Sequence, residues 1–277
     1  MEMVKAKIIV PLLFLSVVSC AQTYNWTQVP MDGSRAGAAI PNAENVKQAL
    51  GTVEDGVYTA PNGRKYSGMV ADVASILIDA QPAMAPVKEY IGSAEEDMIL
   101  EYPESALSNM IVDCVKNETE RVTGRKVDVS LVNFGGIRVD LYKGDVIMDN
   151  ILSMLPFNNY LCYVSLKGSD LRYMLEKMAE TRMQVWGGIN ITVRGKKLES
   201  AVIGGEPLDD EKVYGLATCD FLLNGGDGVF AARNAQELIV TESLIRDAVL
   251  PYIRSLTAQG KPVAYKTDGR VKIIAEE

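Results

Sequence analysis

The pattern of apolar and polar positions changes repeatedly along this chain, and each change predicts a different element. Lys5 and Lys7 precede an apolar run from Ile8 to Val18. That run is too short to span a bilayer and matches the hydrophobic region of a signal peptide. From Ala21 to Gly56 the chain is polar and rich in turn residues, with one short helical stretch near Glu44–Leu50. The stretch "GVYTAPNGRKYSG" predicts a hairpin turning at Pro61-Asn62-Gly63, because Asn-Gly adopts positive φ at low cost. Beyond it, Met69–Ala80 and Pro82–Ile91 repeat apolar residues at helical spacing, with Pro82 placed to open the second helix.

After Glu95 the apolar pattern becomes denser. Leu107, Met110, Ile111, Cys114 and Val115 fall on one face of a predicted helix that stops by Gly124. "VDVSLVNF" and "YLCYVSLKG" read as strands. "GSDLRYMLEKMAE" reads as a helix with Leu171, Met174, Leu175 and Met178 inward. "GINITVRG" and "KVYGLATCDF" are further strands, and "TESLIRDAVLPYIRSL" is a closing helix expected to kink or break at Pro251. Strands and helices alternate without a strict βαβ rhythm, so the expected class is α+β, a mixed β-sheet packed with helices. The expected segments are a signal peptide (1–19), a spacer (20–56), a hairpin-and-helix extension (57–94) and the main domain (95–277).

Composition narrows the function classes. A chain of 277 residues that is 48% hydrophobic and 23% charged can bury a full core. The net charge of −8 argues against a nucleic-acid polymer as partner, although local Arg or Lys residues can still hold a small anion. The absence of histidine removes most general-base and metal-ligand schemes. The leader ends in "LSVVSC", which resembles the lipobox of bacterial lipoproteins, with Cys20 as the acylated first mature residue. On that reading the protein is exported and lipid-anchored at the cell envelope; an ordinary secretory signal is the alternative. Cys114, Cys162 and Cys219 lie far apart in apolar contexts without a CxxC pair, which favours buried thiols over a metal cluster.

Candidate chemistry gathers in loops. Apart from Phe14 in the leader, the phenylalanines are Phe134, Phe157, Phe221 and Phe230, all in glycine- or asparagine-rich stretches. Aromatic rings at loop mouths suit a planar ligand, and base–aromatic stacking contributes about 1–3 kcal/mol per base. Plugging the ends of a sheet is the alternative use. In "NGGDG", Asp227 can accept hydrogen bonds from a vicinal diol, and Gly226 with its neighbours lets backbone N–H groups approach an anion. "GGIR" joins a tight turn to Arg138, whose donor fork suits carboxylate or phosphate. Asn158 and Asn159, beside Phe157, offer amides that suit a base edge.

Taken in order, "VNFGGIRVDLYKGDVIMDNILSMLPFNN", "VSLKGSDLRYMLE", "WGGI", "VYGLATCDFLLNGGDG" and "TDGRVKII" resemble the C-terminal domain of the 5′-nucleotidases across residues 95–275. That family includes ecto-5′-nucleotidases, UDP-sugar hydrolases and 2′,3′-cyclic phosphodiesterases. The resemblance implies that Phe157 and Phe221 sandwich a nucleobase and that Asn159 bonds its edge. It further implies that Asp227 holds the ribose hydroxyls, with Asn133, Arg138 and Gly226 on the ribose and phosphate side.

Two departures qualify what the resemblance implies. Family members place Arg just before the helix that here begins "YPESALSNMIVDC", where this chain has Tyr102 and Pro103, and the family's Asn-Gly pair reads Ser108-Asn109. Nucleosides are therefore expected to bind about as well as nucleotides. Full-length members also carry an upstream two-metal phosphoesterase domain with His ligands, which this chain cannot supply from its own residues. The expected cofactor set is thus none in this chain, with divalent metals on a partner. Three readings follow: the specificity half of a split nucleotidase docking on a metallophosphatase chain, a non-enzymatic nucleoside- or nucleotide-binding lipoprotein, or a scaffold module without ligand.

Overall fold

The structure is a computed structural model that describes residues 41 and 44–276. The expected signal peptide, the lipidation site at Cys20 and most of the spacer lie outside the described residues. In chain order the first elements are α1 (Val46–Leu50), β1 (Thr52–Glu54), β2 (Val57–Thr59), β3 (Lys65–Ser67), α2 (Met69–Ala80) and β4 (Tyr90–Ala94). Next come α3 (Ala106–Thr123), β5 (Val129–Val132), β6 (Gly144–Ile147), α4 (Met148–Met154), β7 (Tyr160–Lys167) and α5 (Gly168–Glu180). Short strands β8 (Val185–Gly187), β9 (Ile189–Arg194), β10 (Lys197–Ile203) and β11 (Glu206–Pro207) follow. The chain closes with β12 (Val213–Cys219), α6 (Asp220–Leu223), β13 (Glu237–Leu244), α7 (Ile245–Ala258) and β14 (Val271–Ile274). The fold is α+β with mixed sheets.

The hairpin forms where the sequence predicts it. Val57 to Thr59 pairs antiparallel with Ser67 to Lys65, and Gly63 takes φ +80° in the turn. The sheet also reaches back into the expected spacer, because β1 pairs with β2. The helix predicted over Pro82–Ile91 does not form; a 3₁₀ turn, Ala85–Lys88, stands there instead. In an α-helix Pro86 would clash with the carbonyl of Pro82 and offer no N–H. The residues that follow become β4, which pairs with β6, and Glu95 N–H bonds to Val263 O. The boundary expected near Glu95 therefore falls at the end of β4, which forms a two-stranded sheet with β6.

A five-stranded mixed sheet, ordered β13-β7-β12-β5-β8, forms the centre. Within it β12 runs parallel to β5 and antiparallel to β7, while β7 also pairs antiparallel with β13. Strands β5, β7 and β12 are buried along nearly their whole length, which requires cover on both faces and explains their continuous apolar runs. Helix α3 packs on β5, β7, β8 and β12, and α5 packs on β7 and β10. A second sheet, β11-β10-β9-β14, flanks the first.

The apolar face predicted for α3 is completely enclosed, as are Leu171 and Leu175 of α5. A capping box of Ser105 and Ser108 starts α3, and Gly124 ends it at φ +65°. Its polar Asn109 is buried but satisfied, donating to Glu104 and to the Lys266 carbonyl. Nearby, Arg270 forks onto Asp113 at 2.8 and 3.0 Å and onto Asp268, so the segment before β14 is pinned to α3. The Arg270 guanidinium holds the Asp268 carboxyl below the usual carboxylate range. The predicted closing helix starts later than expected, because Thr241–Leu244 extend β13. It then runs through Pro251, an exposed position where the unpaired Asp247 carbonyl can meet water.

Cys114, Cys162 and Cys219 are free, buried thiols. Burial pushes the Cys114 and Cys162 thiols up to about 12 and Cys219 to about 11, from an ordinary 9.0. Because the folded pKa is raised, this contribution to stability is complete below pH 9.0 and is lost as pH rises through 11 to 12. Denaturant midpoints should accordingly fall as pH rises from 9.0 toward 11 to 12. At neutral pH a thiol reagent should leave all three cysteines unlabelled in the native chain and label all three in denaturant. Rapid native labelling would contradict their burial.

Candidate functional site

The sheet topology brings the motifs of interest to one edge. In the parallel β5–β12 pair, Leu216 and Ala217 lie opposite Val129 and Ser130, so both strands end on the same side. Strand β7 is antiparallel to β12, with Leu161 opposite Cys219, so β7 begins where those strands end. Leu244 at the end of β13 lies opposite Tyr160. The "NFGGIR" turn after β5, the "PFNN" loop before β7, the "DFLLNGGDG" loop after β12 and the start of α7 therefore share one rim.

Side-chain contacts link those loops. Asn133, buried at the end of β5, donates from Nδ2 to Asp227 Oδ2 at 2.7 Å. A Cβ on Gly136 would lie 2.9 Å from Asn133 Oδ1, so that glycine leaves room for the amide to turn toward Asp227. Asp227 itself is exposed and sits at φ +50°, a left-handed conformation uncommon outside glycine. Gly225 at φ +104° and Gly228 at φ +75° carry the loop through the rest of the turn. Asp220 Oδ1 accepts from the N–H groups of both Tyr160 and Phe221, which joins the β7 and β12 ends directly.

The aromatic residues divide into two kinds. Phe134 is only 8% exposed and belongs to the core, so its ring is no free stacking platform. Phe157 and Phe221 stand 47% and 44% exposed on the rim, and Phe230 is also exposed. Phe157 and Asn159 line a narrow recess together with Asn133, Gly136, Leu155 and Ile245. Phe221 is seated on Gly226, where a Cβ would come 2.6 Å from the ring. Gly226 thereby orients a ring as well as shaping the turn.

Other predicted residues separate by their commitments. Asn158 Oδ1 accepts from Arg246 at 2.8 Å, whereas the half-buried Asn159 uses only its backbone carbonyl, toward Ile245 N–H. The Asn159 amide is thus the one left for a ligand. Arg138 is exposed and touches only the Gly135 carbonyl, at 3.3 Å. Sequence reasoning missed Arg182 altogether. Its guanidinium lies 4.9 Å from the Tyr102 ring centroid and 5.4 Å from that of Phe134. Gln184, close behind it, accepts from Phe134 N–H at 3.0 Å and ties this loop to the "NFGG" turn. No local motif marks Arg182, since its neighbours in space come from distant parts of the chain.

Metal chemistry finds no ligand set in this arrangement. Among the described residues no group of His, Cys, Asp and Glu is placed to hold a metal ion, and the chain has no histidine. Two-metal ester hydrolysis therefore does not fit the residues at this rim.

Residues 90–234 match the family described as 5′-nucleotidase, C-terminal domain. Protein UshA of Yersinia enterocolitica is 32% identical over 106 residues, covering 36% of this chain and 19% of that protein. The cell wall protein Lmo0130 of Listeria monocytogenes is 27% identical over 228 residues, covering 72% of this chain and 29% of that protein. A solved 5′-nucleotidase precursor from Thermus thermophilus superposes with a TM-score of 0.65 at 26% identity, covering 79% of this chain and 46% of that one. The chain spans less than half the length of each of these proteins.

The link between Asn133 and Asp227 should be measurable. Unfolding of Asn133→Ala, Asp227→Ala and the double variant is expected to show a coupling of about 1 kcal/mol, and strict additivity would deny the bond. Gly226→Ala should cost roughly 1–3 kcal/mol of stability by driving a Cβ against the Phe221 backbone carbonyl and its ring, as thermal unfolding would show.

Proposed function

This chain belongs to the 5′-nucleotidase C-terminal domain family, and from that premise we propose that it is the nucleotide-recognising part of a 5′-nucleotidase-type hydrolase. In this reading the exposed rings of Phe157 and Phe221 stack on the nucleobase, and the uncommitted amide of Asn159 bonds its edge. Asp227 accepts from the ribose hydroxyls, and Arg138 and Asn133 lie toward the ribose and phosphate. The observation that carries the proposal is the shared rim: the loops before β7 and after β12 deliver two exposed rings, a free amide and a carboxylate held by Asn133 to one sheet edge.

Hydrolysis itself is assigned to a separate metallophosphatase chain that supplies the divalent metals, because the described residues offer no ligand set for them. The leader ending at Cys20 supports export and lipid anchoring at the cell envelope. Among the described residues no helix is long and apolar enough to cross a membrane. The same lack of metal ligands favours a second reading, a lipoprotein that captures nucleosides or nucleotides without hydrolysing them.

Calorimetric titration of the chain from Ala21 with adenosine, AMP and UMP tests the recognition. Phe157→Ala and Phe221→Ala should each cost about 1–3 kcal/mol of binding. Asp227→Ala should weaken adenosine far more than adenine, and equal losses would remove its ribose role. Phosphate release from AMP should be absent with the chain alone and appear on mixing with a metallophosphatase chain and divalent metal. Binding without release in any such mixture would favour the capture reading.

A further inference from the structure

Helix α2 is amphipathic the wrong way round. It packs against β1, β2 and β3 of the hairpin sheet, yet its buried residues are only the small Ala71 and Ala74. Its large apolar residues, Met69, Val70, Val73, Ile76 and Leu77, are exposed, Met69 at 80% and Ile76 at 69%. At about 100° per residue these five fall within about a third of the helix circumference. A helix in water buries such a stripe, so this one calls for a cover from outside the described residues.

Two features of its surroundings point to that cover. The polar segment after Cys20 leads into α1, which packs on α2, so this extension is the first described part of the molecule beyond Cys20. Both signs of charge also lie close to the stripe. Exposed Arg64 and Lys65 stand just before α2 in the chain, next to the exposed ring of Tyr66, and exposed Asp72 and Asp79 lie on the helix itself. Apolar side chains accompanied by an aromatic ring and mixed charges match the boundary between acyl chains and zwitterionic headgroups. A strongly anionic leaflet would instead repel the two carboxylates.

On the reading of Cys20 as a lipidated residue, we propose that the exposed face of α2 rests on the phospholipid leaflet that holds the anchor. Met69, Val73, Ile76 and Leu77 enter the boundary between headgroups and acyl chains. An acylated residue at the end of a polar segment tethers the chain without fixing its orientation. The apolar contact of α2 decides which side of the molecule faces the membrane.

Co-flotation with neutral phosphatidylcholine–phosphatidylethanolamine vesicles tests this on the chain from Ala21, which carries no lipid. The native chain is expected to float, and joint Ile76→Gln and Leu77→Gln substitution should weaken partitioning at least about tenfold. Both positions are exposed, so folding should survive, and circular dichroism checks it. Because the native thiols are buried, a fluorophore on Ile76→Cys is selective, and its emission should shift to the blue when vesicles are added. Failure to float, flotation that the substitutions leave unchanged, or binding that appears only with phosphatidylglycerol overturns the proposal. A dimer that the substitutions dissolve, seen by sedimentation velocity without vesicle binding, overturns it in favour of a second copy on this face. Mass spectrometry of the mature chain tests the anchor separately. Vesicle binding without acylation at Cys20 keeps the α2 surface and removes the anchor; acylation without vesicle binding does the reverse.

Discussion

The parallel pairing of β12 with β5, flanked by antiparallel β7, is the constraint on which the rest of this molecule depends. Parallel neighbours end on the same side, and an antiparallel neighbour begins there, so three separated segments of chain release their loops at one rim. Reversing any one of these strands would move its loop to the opposite end of the sheet. The continuous burial of the central strands makes that register expensive to change, since a one-residue slip would exchange the side chains of the two packed faces.

On that rim, rigid and open features are combined. The Asn133–Asp227 bond and the double acceptance by Asp220 clamp the loops to the ends of the strands. Left above them are two exposed rings, an uncommitted amide and the Arg182 guanidinium held over aromatic faces. A preorganised site of this kind loses little conformational entropy when a ligand arrives. Among the described residues no group of His, Cys, Asp and Glu is placed there to hold a metal ion, and the chain has no histidine.

Helix α3 supplies the complementary support. Its enclosed apolar face backs the central sheet, and the Arg270–Asp113–Asp268 cluster ties the final strand to it. A buried guanidinium is costly unless it is paired, and Arg270 meets that demand with the half-buried Asp113 and the exposed Asp268. The three buried thiols fill the same core as small apolar groups and stay protonated there.

Much of this was legible in the sequence. Periodicity located α3, α5, β5, β7, β9 and β12, and Asn-Gly located the hairpin turn. The resemblance named Phe157, Phe221, Asn159 and Asp227, and the structure sets them on one rim. Local pattern failed where tertiary partners decide. Tyr90–Ala94 becomes a strand only because β6 lies beside it, and Thr241–Leu244 extends β13 because β7 accepts it. Likewise, no spacing rule could show that Asn158 is consumed by Arg246 while Asn159 stays free, or that Arg182 comes to lie over Tyr102 and Phe134. The sequence by itself determined the α+β class and the core faces, and nominated the site residues, because those follow from period, side-chain chemistry and the resemblance. Only the tertiary structure decided which of those residues meet, because contacts between distant segments depend on strand order and direction, which a local pattern does not encode.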